Sequence, residues 1–284
     1  EVTASGIVND TVINKTYIDV YIKGSANNTT INGGSVRVIG KMNNTIVNGG
    51  SLDADYWGGD KAIFDTLVIN EGASFYLSTN STITNATIYG RDVSLTDHQA
   101  NGWLLKEGGN LVVKSGGTSQ DILVDGGTLA AASNAIVKDT IVKKGKISSS
   151  SGALVDGLVI EKGAHFDLDT ASTVINAKQD GKDVSISNNV ARGWTFYDGD
   201  NINLNNGTIE DAVVAEGASL SFYDKSGTLK NIEVSSGGKL SIRSPRSMVV
   251  EDVFLREGAF LDLYSSSTNL VVKGLYANNL HDIR

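Results

Sequence analysis

The 284-residue chain contains no cysteine, which excludes disulfides, thiolate metal sites and a cysteine nucleophile. It has one proline, Pro245, against 32 glycines, a balance that disfavours helix interiors and points to short strands with tight Gly or Asn corners. No stretch approaches the roughly 18 uninterrupted apolar residues of a membrane-spanning helix. There is no basic run, and the net charge of −8 argues against nucleic acid or an anionic lipid surface as partner. Apolar residues at i, i+3, i+4, i+7 are sustained nowhere, so no helix is expected. The opening residues, Glu1 to Asp10, show neither an initiator Met nor a signal segment, and the chain reads as part of a longer protein.

What is present is a period. The pattern apolar, any, apolar, two residues, Gly, two residues, apolar, any, apolar recurs along the chain. Around Gly72 it places Leu67, Ile69, Phe75 and Leu77; around Gly163 it places Leu158, Ile160, Phe166 and Leu168. It recurs at Gly217, Gly237 and Gly258, and more weakly at Gly33, Gly49, Gly126 and Gly145. Flanks alternating with period two are half-buried strands, and glycine supplies the positive φ of a sharp corner. A unit of 18–20 residues with two short strands fits one rung of a single-stranded parallel β-solenoid. The competing reading is an antiparallel meander, but the constant register around each glycine favours the solenoid. The two 54-residue gaps, Gly72 to Gly126 and Gly163 to Gly217, would each hold three units. The expectation is therefore an all-β protein, 1–284 being one continuous solenoid of roughly fourteen rungs.

A longer echo overlies this period. The stretch from Gly90 to Trp103, GRDVSLTDHQANGW, returns from Gly181 to Trp194 as GKDVSISNNVARGW, 91 residues on. The same offset aligns Phe75 with Phe166, Asn85 with Asn176 and Leu129 with Leu220 without gaps. Super-repeat copies are placed at 71–161 and 162–252, with partial copies at 1–70 and 253–284. The echo is a structural slot duplicated with its surroundings.

Candidate sites are few. Trp103 and Trp194 occupy equivalent places just before a strand, as corner plugs or as exposed indoles for stacking a sugar. Tyr56 and Trp57 lie in an expanded stretch, Asp53 to Ala62, with no counterpart at the 91-residue offset; insertions in solenoids become loops on one face. These four residues are the candidate ligand-binding set. No catalytic residue is assigned. His98, His165 and His281 are far apart in sequence, and Asp53 and Asp55 share a strand face without a partner motif. Asp198 and Asp200 alternate as in a calcium loop, but the distal glutamate is missing, and a solvated acidic corner fits them better. No metal and no cofactor is expected.

With runs such as NNTTINGGSVRVIG (Asn27 to Gly40) and NNTIVNGGSLDA (Asn43 to Ala54), the chain resembles the stalk of bacterial autotransporter adhesins of the self-associating or diffuse-adherence type. The resemblance implies a right-handed parallel β-helix displayed outside a Gram-negative outer membrane, anchored by a part outside this chain. It also implies attachment, aggregation and biofilm as functions, without catalytic centre or cofactor. The implied partners are like molecules on other cells, or host and matrix components including glycans. A glycan-binding or polysaccharide-degrading β-helix is the alternative. The family has no residue-level signature, so no functional residue is carried over.

Overall fold

The computed structural model describes residues 2–4, 6–14, 19–22, 24–54, 61–264 and 269–277, which form strands and turns and no helix. The chain divides into two compact units, Glu1–Ile147 and Ser148–Arg284. Each is built as a parallel β-solenoid. In the first, Ile7 pairs with Ser25, Ser25 with Lys41, Lys41 with Ile63 and Ile63 with Thr82, steps of 18, 16, 22 and 19 residues. In the second, Leu154 pairs with Thr173, Thr208 with Thr228, Ser226 with Ser247 and Met248 with Leu270, steps of 19, 20, 21 and 22 residues.

The expected glycine corners are there. Gly72, Gly163, Gly217, Gly237 and Gly258 are left-handed, φ 72–92°. Of the four weaker copies, Gly126 and Gly145 are left-handed themselves, whereas at Gly33 and Gly49 the left-handed residue is the next one, Gly34 and Gly50. A Cβ on Gly50 would sit 2.4 Å from the Gly34 carbonyl oxygen, so successive corners stack too closely for any side chain. The apolar residues flanking the corners are the core: Leu67, Ile69, Phe75 and Leu77, and likewise Leu158, Ile160, Phe166 and Leu168, are at most 1% exposed. Each buried side chain of this size contributes about 1.5–3 kcal/mol.

A rung nevertheless has three arms, where the sequence suggests two. The long strands are broken at their middle by a second left-handed residue. In the first unit these are Asp10, Asn28, Asn44, Thr66, Asn85, Gly102, Asp121 and Asp139; in the second, Gly157, Asn176, Gly193, Asp211, Asn231, Asp252 and Gly274, with φ 48–83° throughout. The left-handed region costs L-residues roughly 1–2 kcal/mol, least for Gly, Asn and Asp. Those three types fill every position of the column except Thr66. Strand Ile63–Ile69 is thus two arms, 63–65 and 67–69, hinged at Thr66, and Ala73–Ser78 is the third.

The 54-residue gaps do not hold three rungs each. Thr82–Ile88 runs parallel to Ile63–Ile69, but the chain then reverses, and Arg91–Thr96 lies antiparallel between Thr82–Ile88 and Gln99–Asn101. The second unit does the same with Thr173–Gln179, Lys182–Ser187 and Val190–Arg192. The turns are paired left-handed residues: Tyr89–Gly90 and Asp97–His98, then Asp180–Gly181 and Asn188–Asn189. Two consecutive positive φ values are what the favoured two-residue hairpin turn requires. On the third-arm face no strand is added: Phe75–Ser78 pairs directly with Gly109–Val112, and Asp167–Asp169 with Asn201–Asn203. One face therefore carries two more strands than the other, ~9.6 Å of extra height by strand spacing.

Candidate functional site

That extra height explains the two tryptophans. Trp103 and Trp194 are fully buried, 0% exposed, and fill the space beside the spliced strands. Trp103 meets Phe75 edge-on at 6.1 Å, and Trp194 lies 4.8 Å from Phe166. Each indole N–H donates to the spliced strand, Trp103 to the Ser94 carbonyl at 3.0 Å and Trp194 to the Ser185 carbonyl at 2.9 Å. Ser94 and Ser185 remain paired with Asn101 and Arg192, so the ring adds a second donor to a strand carbonyl and ties the indole to the spliced strand. An indole enclosed on both faces offers no surface to a sugar. Trp103 and Trp194 are plugs, and the stacking expectation for them is corrected. Tyr56, Trp57 and Asp55 lie outside the described residues, as does His281. Asp53 sits 4.0 Å from Arg37.

At the corner where the extra strands end, a solvent-open notch of about 570 Å³ is lined by Glu71, Gly72, Ser74, Tyr89, Lys106, Glu107 and Gly108. Tyr89 donates its hydroxyl to the Ala73 carbonyl at 3.1 Å. Lys106 pairs with Glu71 and stands 5.7 Å over the Tyr89 ring. Burial, aided by the Glu71 charge, pushes the Tyr89 phenol above its ordinary pKa. The second copy has the same scaffold and different chemistry. Ser74, Tyr89 and Lys106 give way to His165, Asp180 and Tyr197. Tyr197 now donates across the gap to Asp180 Oδ2 at 2.7 Å, which pushes its phenol up to about 12. His165 reaches Asp200 Oδ1 at 3.3 Å.

Asp200 is not the solvated acid expected from its sequence. It is 6% exposed and accepts the N–H groups of Tyr197 at 2.9 Å and Phe166 at 3.1 Å. Burial raises its carboxyl above the usual range, against the opposing pull of those bonds and His165. His98 approaches the Thr79 carbonyl at 2.9 Å. Among the described residues no group of three or more His, Asp or Glu is arranged to hold a metal ion.

The surface is ordered by register. Three amide columns climb the first unit. Asn43 donates to Asn27 at 2.6 Å and Asn27 to Asn9 at 2.7 Å; Asn44 donates to Asn28 and Asn28 to Asp10. Asn70 donates to Asn48, Asn48 to Asn32 and Asn32 to Asn14, at 2.7–2.8 Å. An Asn amide has two N–H donors and two lone pairs, so a ladder uses one of each and leaves the other pair outward. The second unit sets amides on carboxylates, Asn176 on Asp156 at 2.7 Å and Asn231 on Asp211 at 2.6 Å, and adds ion pairs. Arg246 holds Asp224 by two bonds of 2.8 and 2.7 Å, Arg256 holds Glu233 by two of 2.9 and 3.1 Å, and Arg243 pairs with Asp262. Each of these carboxyls is drawn below its ordinary pKa by its arginine.

Among the described residues, the feature that recurs from rung to rung is the laddered polar face. Residues 84–146 match the AIDA family model, described as "Adhesin of bacterial autotransporter system, probable stalk". No curated protein matches the chain. Among solved structures, the crystal structure of a TibC-catalysed hyper-glycosylated TibA55-350 fragment is similar at 17% identity, covering 98% of this chain and 99% of that one, with a TM-score of 0.27. Over residues 84–146, which lie on the parallel β-solenoid of the first unit, the chain is thus similar to the stalk of a bacterial autotransporter adhesin, a kind of stalk that is displayed outside the cell.

Proposed function

We propose that this stalk attaches cells to one another or to host and matrix surfaces through many weak polar contacts along its outer columns, without catalysis and without a cofactor. The observation that carries the reading is the amide ladder, in which the exposed Asn side chains, Asn28, Asn32, Asn44, Asn48 and Asn70 among them, have donor and acceptor capacity beyond what the ladder uses. A single hydrogen bond contributes about 1 kcal/mol net, too little to hold two cells. Repeated over rungs and over many displayed copies, effective concentration turns such contacts into firm adhesion.

The test is display of the chain on cells that do not otherwise settle. Clumping or attachment is expected, with low affinity between soluble copies. Asn27→Ala or Asn48→Ala alone leaves clumping nearly intact, whereas replacing a whole column weakens it in proportion. Absence of clumping and attachment, or their complete loss on one substitution, would overturn distributed contact.

A further inference from the structure

The third-arm face of the last rungs differs from the rest of the surface. Strands Ser219–Tyr223, Lys239–Arg243 and Phe260–Tyr264 form a three-stranded parallel sheet. Its register puts Tyr223, Arg243 and Tyr264 in one column. The inward neighbours Phe222 and Ile242 are buried, so the column points to solvent, with Tyr223 70% and Tyr264 61% exposed. Two in-register rings on alternate strands stand ~9.6 Å apart by strand spacing. Between them the Arg243 guanidinium is fixed by Asp262, which also accepts from Ser241 at 3.4 Å.

We propose that this column binds an extended, uncharged β-1,4-linked polysaccharide chain. In such a chain each sugar is flipped relative to the next, so the same face recurs every second sugar, on the length scale of two strand steps. A pyranose presents an apolar C–H face that rests on an aromatic ring, and the phenol and guanidinium N–H groups address its hydroxyls. Neutral polymer is favoured over polyanion because Asp262 already neutralises Arg243 and the chain carries −8 overall, which repels polyanions at range. Both rings are surface residues, so their removal leaves the core intact.

The experiment is retention of the chain on microcrystalline β-1,4-glucan and on chitin, with titration of the matching hexasaccharides and disaccharides. Retention in about 1 M salt, where the Debye length has fallen to about 3 Å, is expected on at least one polymer. Tyr223→Ala and Tyr264→Ala should each lower hexasaccharide affinity at least about tenfold, and Tyr223→Trp should preserve it. Tyr76→Ala, at an exposed ring of the other unit, should change nothing. The disaccharide, too short to span both rings, should bind about tenfold more weakly than the hexasaccharide. Failure of retention on both polymers, retention on a polyuronate alone, loss in salt, indifference to both tyrosines, or equal binding of disaccharide and hexasaccharide would each overturn the assignment.

Discussion

Thr66 is the one β-branched residue in a left-handed column otherwise filled by Asn, Asp and Gly, at φ 68°. A β-branched side chain there is an outlier, and the left-handed conformation costs it about 1–2 kcal/mol. Its neighbours in the column are Asn44 and Asn85, by the register that aligns Thr45, Leu67 and Ala86. Thr66→Asn removes most of the backbone penalty and lets a new amide donate to Asn44, extending the ladder Asn44 already makes to Asn28 at 3.1 Å. Relief of ~1 kcal/mol, plus an exposed hydrogen bond of about 0.5 kcal/mol, gives an expected gain of about 1–2 kcal/mol. For a unit of this size that raises the melting temperature by roughly 2–4 °C per kcal/mol. Thr66→Gly separates the two causes, because it relieves φ but adds about 0.5–1 kcal/mol of backbone entropy cost, and should be near neutral. Asn28→Thr is the reverse experiment and should lose somewhat more than Thr66→Asn gains, because Asn28 both accepts from Asn44 and donates to Asp10. Urea denaturation followed by circular dichroism measures all three. If Asn28→Thr is neutral, or Thr66→Asn destabilises, the column does not set stability as reasoned.

Trp194→Ala should cost about 3–5 kcal/mol for the void, whereas Trp194→Phe, which keeps most of the volume and loses the indole bond to Ser185, should cost only about 1–3 kcal/mol; equal losses in denaturant titration would refute the plugging role of the indole. Asp65 follows Asn43 in its column but has no donor, and Asn43 Oδ1 is buried without a partner; Asp65→Asn should gain about 0.5–1.5 kcal/mol, visible as slower hydrogen exchange around Asn43. Asp224, Glu233 and Asp262 have carboxyls lowered by arginine, so their contribution is complete above the ordinary carboxylate range and fades as pH falls through the lowered values. Hydrogen exchange should therefore show strands Ser226–Val234 and Ser247–Leu255 loosening on acidification, while strand Lys41–Val47, whose Asn43 and Asn44 donate to amides, does not respond.

The sequence made the core and the glycine corners legible because both are enforced at every rung: an alternate side chain has nowhere else to go, and only glycine tolerates the stacking at Gly50. The mid-strand corner escaped notice because a lone Asn in a polar run such as Ser25 to Gly33 looks like any solvated strand residue. What identifies it is recurrence at one fixed place in successive rungs. The antiparallel splice had a signal that the glycine period overrode: Asp180–Gly181 is a hairpin dipeptide, and Asn188–Asn189 follows it one strand later. Tyr89–Gly90 and Asp97–His98 hide the same turns behind weaker residues. The burial of Asp200 was out of reach, since it depends on N–H groups of Phe166 and Tyr197, the first of them 34 residues distant. The Tyr223 and Tyr264 column was invisible for a like reason, two rungs separating its rings.

The two splices show what such a fold holds fixed and what it releases. Between the copies the strand reversal, the indole bond to the spliced strand and the Phe–Trp contact all persist, because each fills a gap that the two extra strands create. The notch lining does not persist: Ser74, Tyr89 and Lys106 have become His165, Asp180 and Tyr197. In a solenoid each rung contacts only its neighbours, so a corner side chain can change without disturbing a distant core. What a change must respect is the rung above and below, which is why substitutions arrive as compatible pairs: a phenol donates to a carbonyl in one copy and to a carboxylate in the other. The same constraint shapes the surfaces of the units, amide columns on amides in the first and amides and arginines on carboxylates in the second, since one unmatched residue interrupts a ladder as Asp65 interrupts that of Asn43. A surface built this way varies column by column, with each column answering to its own solvent chemistry.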